Sequence, residues 1–205
     1  MNLAQKKILI FSYYWPPAGG SGVQRWMYFA KYLKQLGYEP VIITVDETKA
    51  SYPIIDSSLI KETNEIRVIK TSTREPLRWY SILISGDTKK GIPQGEVKTS
   101  NLFEKLLAFI RGNYFIPDAR KGWIPFAVKE AKKILKAERI EKLITTGPPH
   151  STHLVGLKLK KQFDLYWWAD FRDPWTDIFY NTSFFRSAKT ISKDQALEKE
   201  VLQKA

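Results

Sequence analysis

Three short segments hold the residues best suited to chemistry. Gly19, Gly20, Ser21 and Gly22 occupy a turn rich in proline and glycine, with Arg25 about one helical turn further on. His150 follows two prolines in Gly147-Pro-Pro-His-Ser-Thr-His153, and Asp170, Arg172, Asp173 and Trp175 crowd Asp170-Phe-Arg-Asp-Pro-Trp175. Glycines let backbone N–H groups approach a ligand closely, and the positive end of a helix starting there favours phosphate. The turn therefore reads as a seat for a nucleotide or sugar phosphate, or as a plain chain reversal. Arg25 either reaches an anion or is solvated. A histidine stiffened by prolines suits hydrogen bonding or proton transfer near neutral pH. It also suits a simple helix start, and His153 reads as a packing residue. Carboxylates accept paired hydrogen bonds from hydroxyls and tryptophan stacks on sugar faces, so the Asp170–Trp175 cluster suits a polyol. It equally suits an internal ion pair pinning the loop to the helix after it. Asp118 and Arg120 read as a structural clip of that kind.

Several chemistries are absent from the pattern. Gly20-Ser-Gly22-Val-Gln-Arg25 puts arginine where a dinucleotide fingerprint needs a small residue, and no Gly-Lys-Ser/Thr ending makes a Walker loop. No nucleophile elbow or kinase signature is present. There is no cysteine and there are two histidines, which removes disulfides and thiolate metal sites and leaves His150 and His153 without further ligands for a metal.

The 205 residues fit one domain, and 43% apolar with 14% aromatic content can fill a core. The net charge of +12, from 33 basic against 21 acidic residues, favours an acidic partner. Nucleic acid lacks support, because no RNP-type strand or zinc-finger spacing occurs. Anionic lipid headgroups and phosphorylated substrates remain. Lys129, Lys132, Lys133 and Lys136 form the densest basic row, readable as a solubilising or a binding helix face. No apolar run spans a bilayer and the first residues do not resemble a signal peptide, so the expected location is the cytoplasm.

These residues need elements to position them. The apolar run Ile8 to Phe11 predicts a strand, and Val23, Trp26, Met27, Ala30 and Leu33 predict a helix that stops at Gly37. Further strands are expected over Pro40–Val45, Ile66–Lys70, Leu143–Thr146 and Leu165–Ala169. Helices are expected near Pro76–Leu83, over Leu102–Ile110 with Phe103, Leu106, Leu107 and Ile110 on one face, from Trp123 onward, and from Ser151 or Thr152. A last helix would start at a capping box, Ser192 with Gln195, and bury Leu197, Val201 and Leu202. Residues 85–100 carry no periodicity and read as a mobile insertion. Strands alternating with helices call for a Rossmann-like, doubly wound parallel sheet. The three chemical segments then converge at its carboxyl edge. Asp46, after the second strand, stands where an oxidoreductase would keep a ribose-binding acid.

With these segments in place, the chain resembles the N-terminal half of the family 4 glycosyltransferases, retaining enzymes of GT-B architecture. The likeness runs through Ile8 to Arg25, Tyr32 to Gly37, Val41-Ile-Ile-Thr44, Ile116-Pro-Asp-x-Arg-x-Gly-Trp123, Thr146 to Gly156 and Ala169 to Trp175. The last segment is typical of members that build surface polysaccharides. The resemblance implies a single Rossmann-like domain over 1–205 that receives a glycan or lipid-linked acceptor. Gly19, Gly20 and Gly22 would border the donor diphosphate, and His150 would lie close to the transferred sugar. It implies no metal or cofactor, a nucleotide sugar as donor substrate, and a separate nucleotide-binding domain lacking from these residues, so that the fragment alone would have little activity. Peripheral contact with an anionic membrane would suit the charge. Two other readings stay open: an NAD-type oxidoreductase domain and a non-catalytic module binding anionic polymers.

Overall fold

The computed structural model describes residues 6–75 and 102–205. Strands β1 (Lys6–Phe11), β2 (Tyr38–Val45), β3 (Arg67–Thr71), β4 (Lys142–Gly147) and β5 (Tyr166–Phe171) form one all-parallel sheet in the order β3-β2-β1-β4-β5. Helices α1 (Ser21–Gln35), α2 (Leu102–Tyr114), α3 (Ile124–Ala137), α4 (Ser151–Lys160) and α5 (Ala188–Lys204) flank it. This is the Rossmann-like α/β class that the alternation calls for. The order switches direction between β1 and β4, so the turns after these two strands border the crevice where such sheets bind ligands.

The strands are continuous apolar runs because both faces of the sheet are covered. Leu9, Ile10, Phe11, Val41, Ile42, Ile43 and Val45 are wholly buried. On β5, alternate side chains show the two layers. The Trp167 ring sits where a Cβ on Gly156 of α4 would be, while Asp170 bonds Arg25 and Trp26 of α1. Side chains three apart on a strand point to opposite faces, so α1 and α4 cover opposite sides. Helix α1 buries Val23, Trp26, Met27 and Ala30, and Gly37 ends it with the positive φ of 83° that glycine tolerates.

Three expectations need correction. Strand β5 runs on to Phe171, which puts Asp170 inside a strand rather than beyond it. Helix α5 begins at Ala188, with Ser187 as its cap accepting from the Thr190 N–H at 3.3 Å. Asn113 of α2 fixes that start, since its side-chain oxygen accepts from the Ser187 N–H and the Thr190 hydroxyl. Ser192 and Gln195 are exposed within the helix, and Leu202 is exposed beside buried Val201. In α2, Leu106 is exposed and, among the described side chains, the buried positions are the small Ala108 and Gly112, with Phe184 where a Gly112 Cβ would be. The side chains of Phe103 and Leu107, the helix expected over 76–83 and the insertion expected over 85–100 lie outside the described residues. No helix among the described residues is long and apolar enough to cross a membrane.

Candidate functional site

A cleft of about 270 Å³ opens at the carboxyl edge of the sheet. The turn after β1 gives it Tyr14, the turn after β4 gives it His150, and the loop after β5 gives it Asp173 and Trp175. Helix α2 and the segment before α3 add Arg111, Asp118 and Arg120. Five of the residues singled out from sequence, Asp118, Arg120, His150, Asp173 and Trp175, thus come together.

His150 immediately precedes α4 and is only 7% exposed. Its ring stacks on Trp175, with centroids 5.2 Å apart and planes 6° from parallel. Neither ring nitrogen makes a hydrogen bond of ordinary distance and angle, the Pro174 carbonyl being near enough to the ring only to pull on its proton. Burial lowers its pKa, against the opposing pull of Asp118, the Pro174 carbonyl, Glu198 and Asp194. Burial thus favours the neutral imidazole, in which one nitrogen accepts and the other donates. The neighbouring Ser151 and Thr152 hydroxyls are also buried without partners. The start of α4 is itself filled by the protein, since the Ser151 N–H donates to Asp118 Oδ2 at 2.7 Å. A carboxylate already sits where an anionic ligand would be drawn, so this part of the cleft favours neutral polar groups.

His153 is the packing residue its position suggests. It stacks on Phe171 at 4.3 Å and shares a 2.9 Å hydrogen bond with Thr145 Oγ1 through Nδ1. Burial, with His150 adding to it, pushes its pKa down to about 3. The Trp175 indole N–H donates to Asp194 Oδ1 at 2.9 Å, which holds the ring under His150. Asp194 also pairs with Arg186.

The opposite wall rests on a buried ion pair. Arg120 meets Glu75 at 2.6 Å and also donates to the Ser51 carbonyl at 2.9 Å. Glu75 accepts in addition from the Tyr13 hydroxyl and from Ser51 Oγ at 2.7 Å. Arg120 is therefore more than a local clip to Asp118, although its N–H does bond Asp118 Oδ1 at 2.8 Å. It ties the turn after β1 to the segments following β2 and β3.

The remaining candidates are placed elsewhere. Gly19, Gly20, Ser21, Gly22, Arg25, Asp170 and Arg172 do not line the cleft. Gly19 is packed, with Ile54 2.8 Å from where its Cβ would be. Gly20 caps α1 at φ 106° and faces open space, while Ser21, exposed, leads the helix. A Cβ on Gly22 would come within 1.6 Å of the Arg172 guanidinium, which donates to the Gly147 and Pro148 carbonyls at 3.3 and 3.1 Å. Arg25 is neither purely solvated nor free for an anion, because it pairs with Asp170 at 2.7 Å. Asp170 also accepts from Trp26 Nε1 at 2.7 Å and Thr146 Oγ1 at 2.8 Å. The ion-pair reading of this aspartate holds, but with a different partner: it ties β5 to α1 and β4, not to the helix that follows.

Sequence reasoning passes over Tyr13, Tyr14, Glu75, Arg111 and Asp194. Tyr13 and Tyr14 sit in plain view in the opening turn, whereas Glu75 lies in a segment with no periodicity and pairs across 45 residues. Asp46 closes a local turn, accepting from the Thr48 N–H at 3.0 Å and its hydroxyl at 2.7 Å. Among the described residues no group of three or more histidines and carboxylates is placed to hold a metal ion. No protein-family model and no curated protein matches this chain.

Proposed function

We propose that this chain is the acceptor-side domain of a retaining glycosyltransferase of GT-B architecture. Its reaction would move a sugar from a nucleotide-sugar donor to a glycan or lipid-linked acceptor during polysaccharide synthesis at the inner face of a membrane. The observation that carries the reading is His150: buried, without a hydrogen bond of ordinary geometry, and stacked on Trp175 in a cleft at the strand-order switch. An unpaired buried polar group costs about 1–3 kcal/mol, a cost that a ligand hydroxyl removes by bonding it. In this reading the imidazole holds a sugar hydroxyl, Asp173 accepts from a second, and the acceptor lies against the aromatic wall. The acceptor hydroxyl attacks the anomeric carbon as the nucleoside diphosphate leaves. The turn at Gly20, open to solvent at the start of α1, would face the departing phosphates and stabilise their charge.

The test is hydrolysis and transfer with a panel of nucleotide sugars, in chelator, by the gene product that carries this chain. Turnover that falls at least a hundredfold in His150→Phe, with thermal melting unchanged, supports the proposal. Absence of turnover together with NAD binding by this chain favours the oxidoreductase reading. Salt-sensitive binding of anionic polymers that ignores His150→Phe favours the non-catalytic one.

A further inference from the structure

The cleft wall that carries His150 depends on helix α5. Of the described rings around His150, Trp175 is the nearest and the flattest against it, at 5.2 Å and 6°. His153 lies at 5.8 Å and 33°, and Phe171 at 5.9 Å and 31°. Stacking alone does not fix such a ring, because offset, tilted and edge-on arrangements lie close in energy. A hydrogen bond is directional and does fix it. The Trp175 indole N–H donates to Oδ1 of Asp194 at 2.9 Å, and Asp194 stands in the second turn of α5.

The backbone beneath the indole is pinned as well. The Thr176 N–H donates to Glu198 Oε2 at 3.3 Å, and the Thr176 hydroxyl donates to the same oxygen. Asn181 Nδ2 donates to the Trp175 and Thr176 carbonyls at 3.2 and 2.9 Å. With the main chain held, rotation of the indole is the freedom left, and the bond to Asp194 removes it. Asp194 is itself secured: it is 1% exposed, and its Oδ2 pairs with Arg186, whose side chain is 8% exposed. A carboxylate offers an acceptor oxygen on each arm, one for the indole and one for the guanidinium, where an amide offers one. A buried ion pair by itself adds little stability, so the fixed acceptor is the larger effect of this pair on the cleft. Helix α5 is in turn held in register by Asn113 of α2, which fixes Ser187 as its cap.

We infer that Asp194 is a positioning residue for the candidate site: from α5 it orients the Trp175 ring on which His150 lies, with Arg186 as its support. The inference rests on the proposed function for its purpose, since a fixed His150 matters where that imidazole holds a ligand. Its geometry is read without any nucleotide sugar, so each can fail alone. Histidine-labelled protein gives two sets of imidazole signals in NMR, from His150 and His153, and a stacked indole shifts the His150 ring protons upfield. Two paired variants remove the buried charges together. Asp194→Asn/Arg186→Met keeps an acceptor oxygen for the indole, and Asp194→Leu/Arg186→Met does not. Expected is a near wild-type His150 shift in the first pair and an upfield shift smaller by about half in the second. Equal shifts in the two pairs overturn the inference, whether both keep the wild-type value or both lose it. Should either pair fail to fold, the unaltered chain still decides. Its Trp175 indole N–H should exchange with deuterium about a hundredfold more slowly than that of Trp168, which is 51% exposed. Equal exchange rates overturn the inference too.

Discussion

On one side of the cleft the Arg120 and Glu75 side chains, 4% and 1% exposed, meet at 2.6 Å, and Tyr13, Ser51 and Tyr14 supply further hydrogen bonds. On the other side His150 is almost as deeply buried, yet neither of its nitrogens makes a hydrogen bond of ordinary geometry, and the Ser151 and Thr152 hydroxyls are without partners. Both walls bury polar groups, and both lie in the same crevice. The first satisfies itself and so needs nothing from outside; it holds three loops in position. The second leaves the His150 ring, which lines the cleft, with hydrogen-bonding capacity unused. The contrast separates polar residues kept for architecture from those free to bind.

The largest test of that contrast breaks the satisfied wall. Glu75→Ala leaves a buried guanidinium without its carboxylate and should cost about 3–5 kcal/mol in urea unfolding, the range for breaking a buried pair. Glu75→Ala with Arg120→Met should recover part of this, because no charge is then stranded.

A second test uses acid. His153 has a folded-state pKa near 3 against an ordinary 6.5, so the unfolded chain takes up a proton first as the pH falls. Stability should be full above about pH 6.5 and decline towards about pH 3, approaching 1.4 kcal/mol per pH unit from this group. In His153→Gln the decline between those limits should be shallower in denaturation series at stepped pH. An unchanged slope would remove His153 as the cause.

The smallest effect is expected at the other wall. His150→Phe keeps the stacking on Trp175 and replaces an unsatisfied polar ring, so stability should shift by less than about 1 kcal/mol. A loss as large as that of Glu75→Ala would mean that His150 is architectural after all.

Much of the framework was legible. Ile8 to Phe11 and Pro40 to Val45 are too apolar to be anything but doubly covered strands, and Gly37 stops α1 where its pattern ends. His150, Asp173 and Trp175 were legible as chemistry-bearing because each follows a strand. The partners were less so. Asp170 looked like a loop residue facing its neighbours in sequence, but β5 extends past it and turns it towards Arg25 and Trp26, 145 and 144 residues away. The capping-box pattern points to Ser192 for the start of α5, but Asn113, on another helix, selects Ser187 as the cap instead.

Periodicity and turn chemistry are local, and they determined the sheet class, the order of its elements and the edge at which the chemical segments gather. Only the tertiary structure decided which polar groups are already satisfied. It gave Arg25 to Asp170 and Glu75 to Arg120, filled the space above Gly22 with Arg172, and left His150 unpaired. The physical reason is that a hydrogen bond depends on the distance and direction between two groups, and across folded layers neither is written in their separation along the chain.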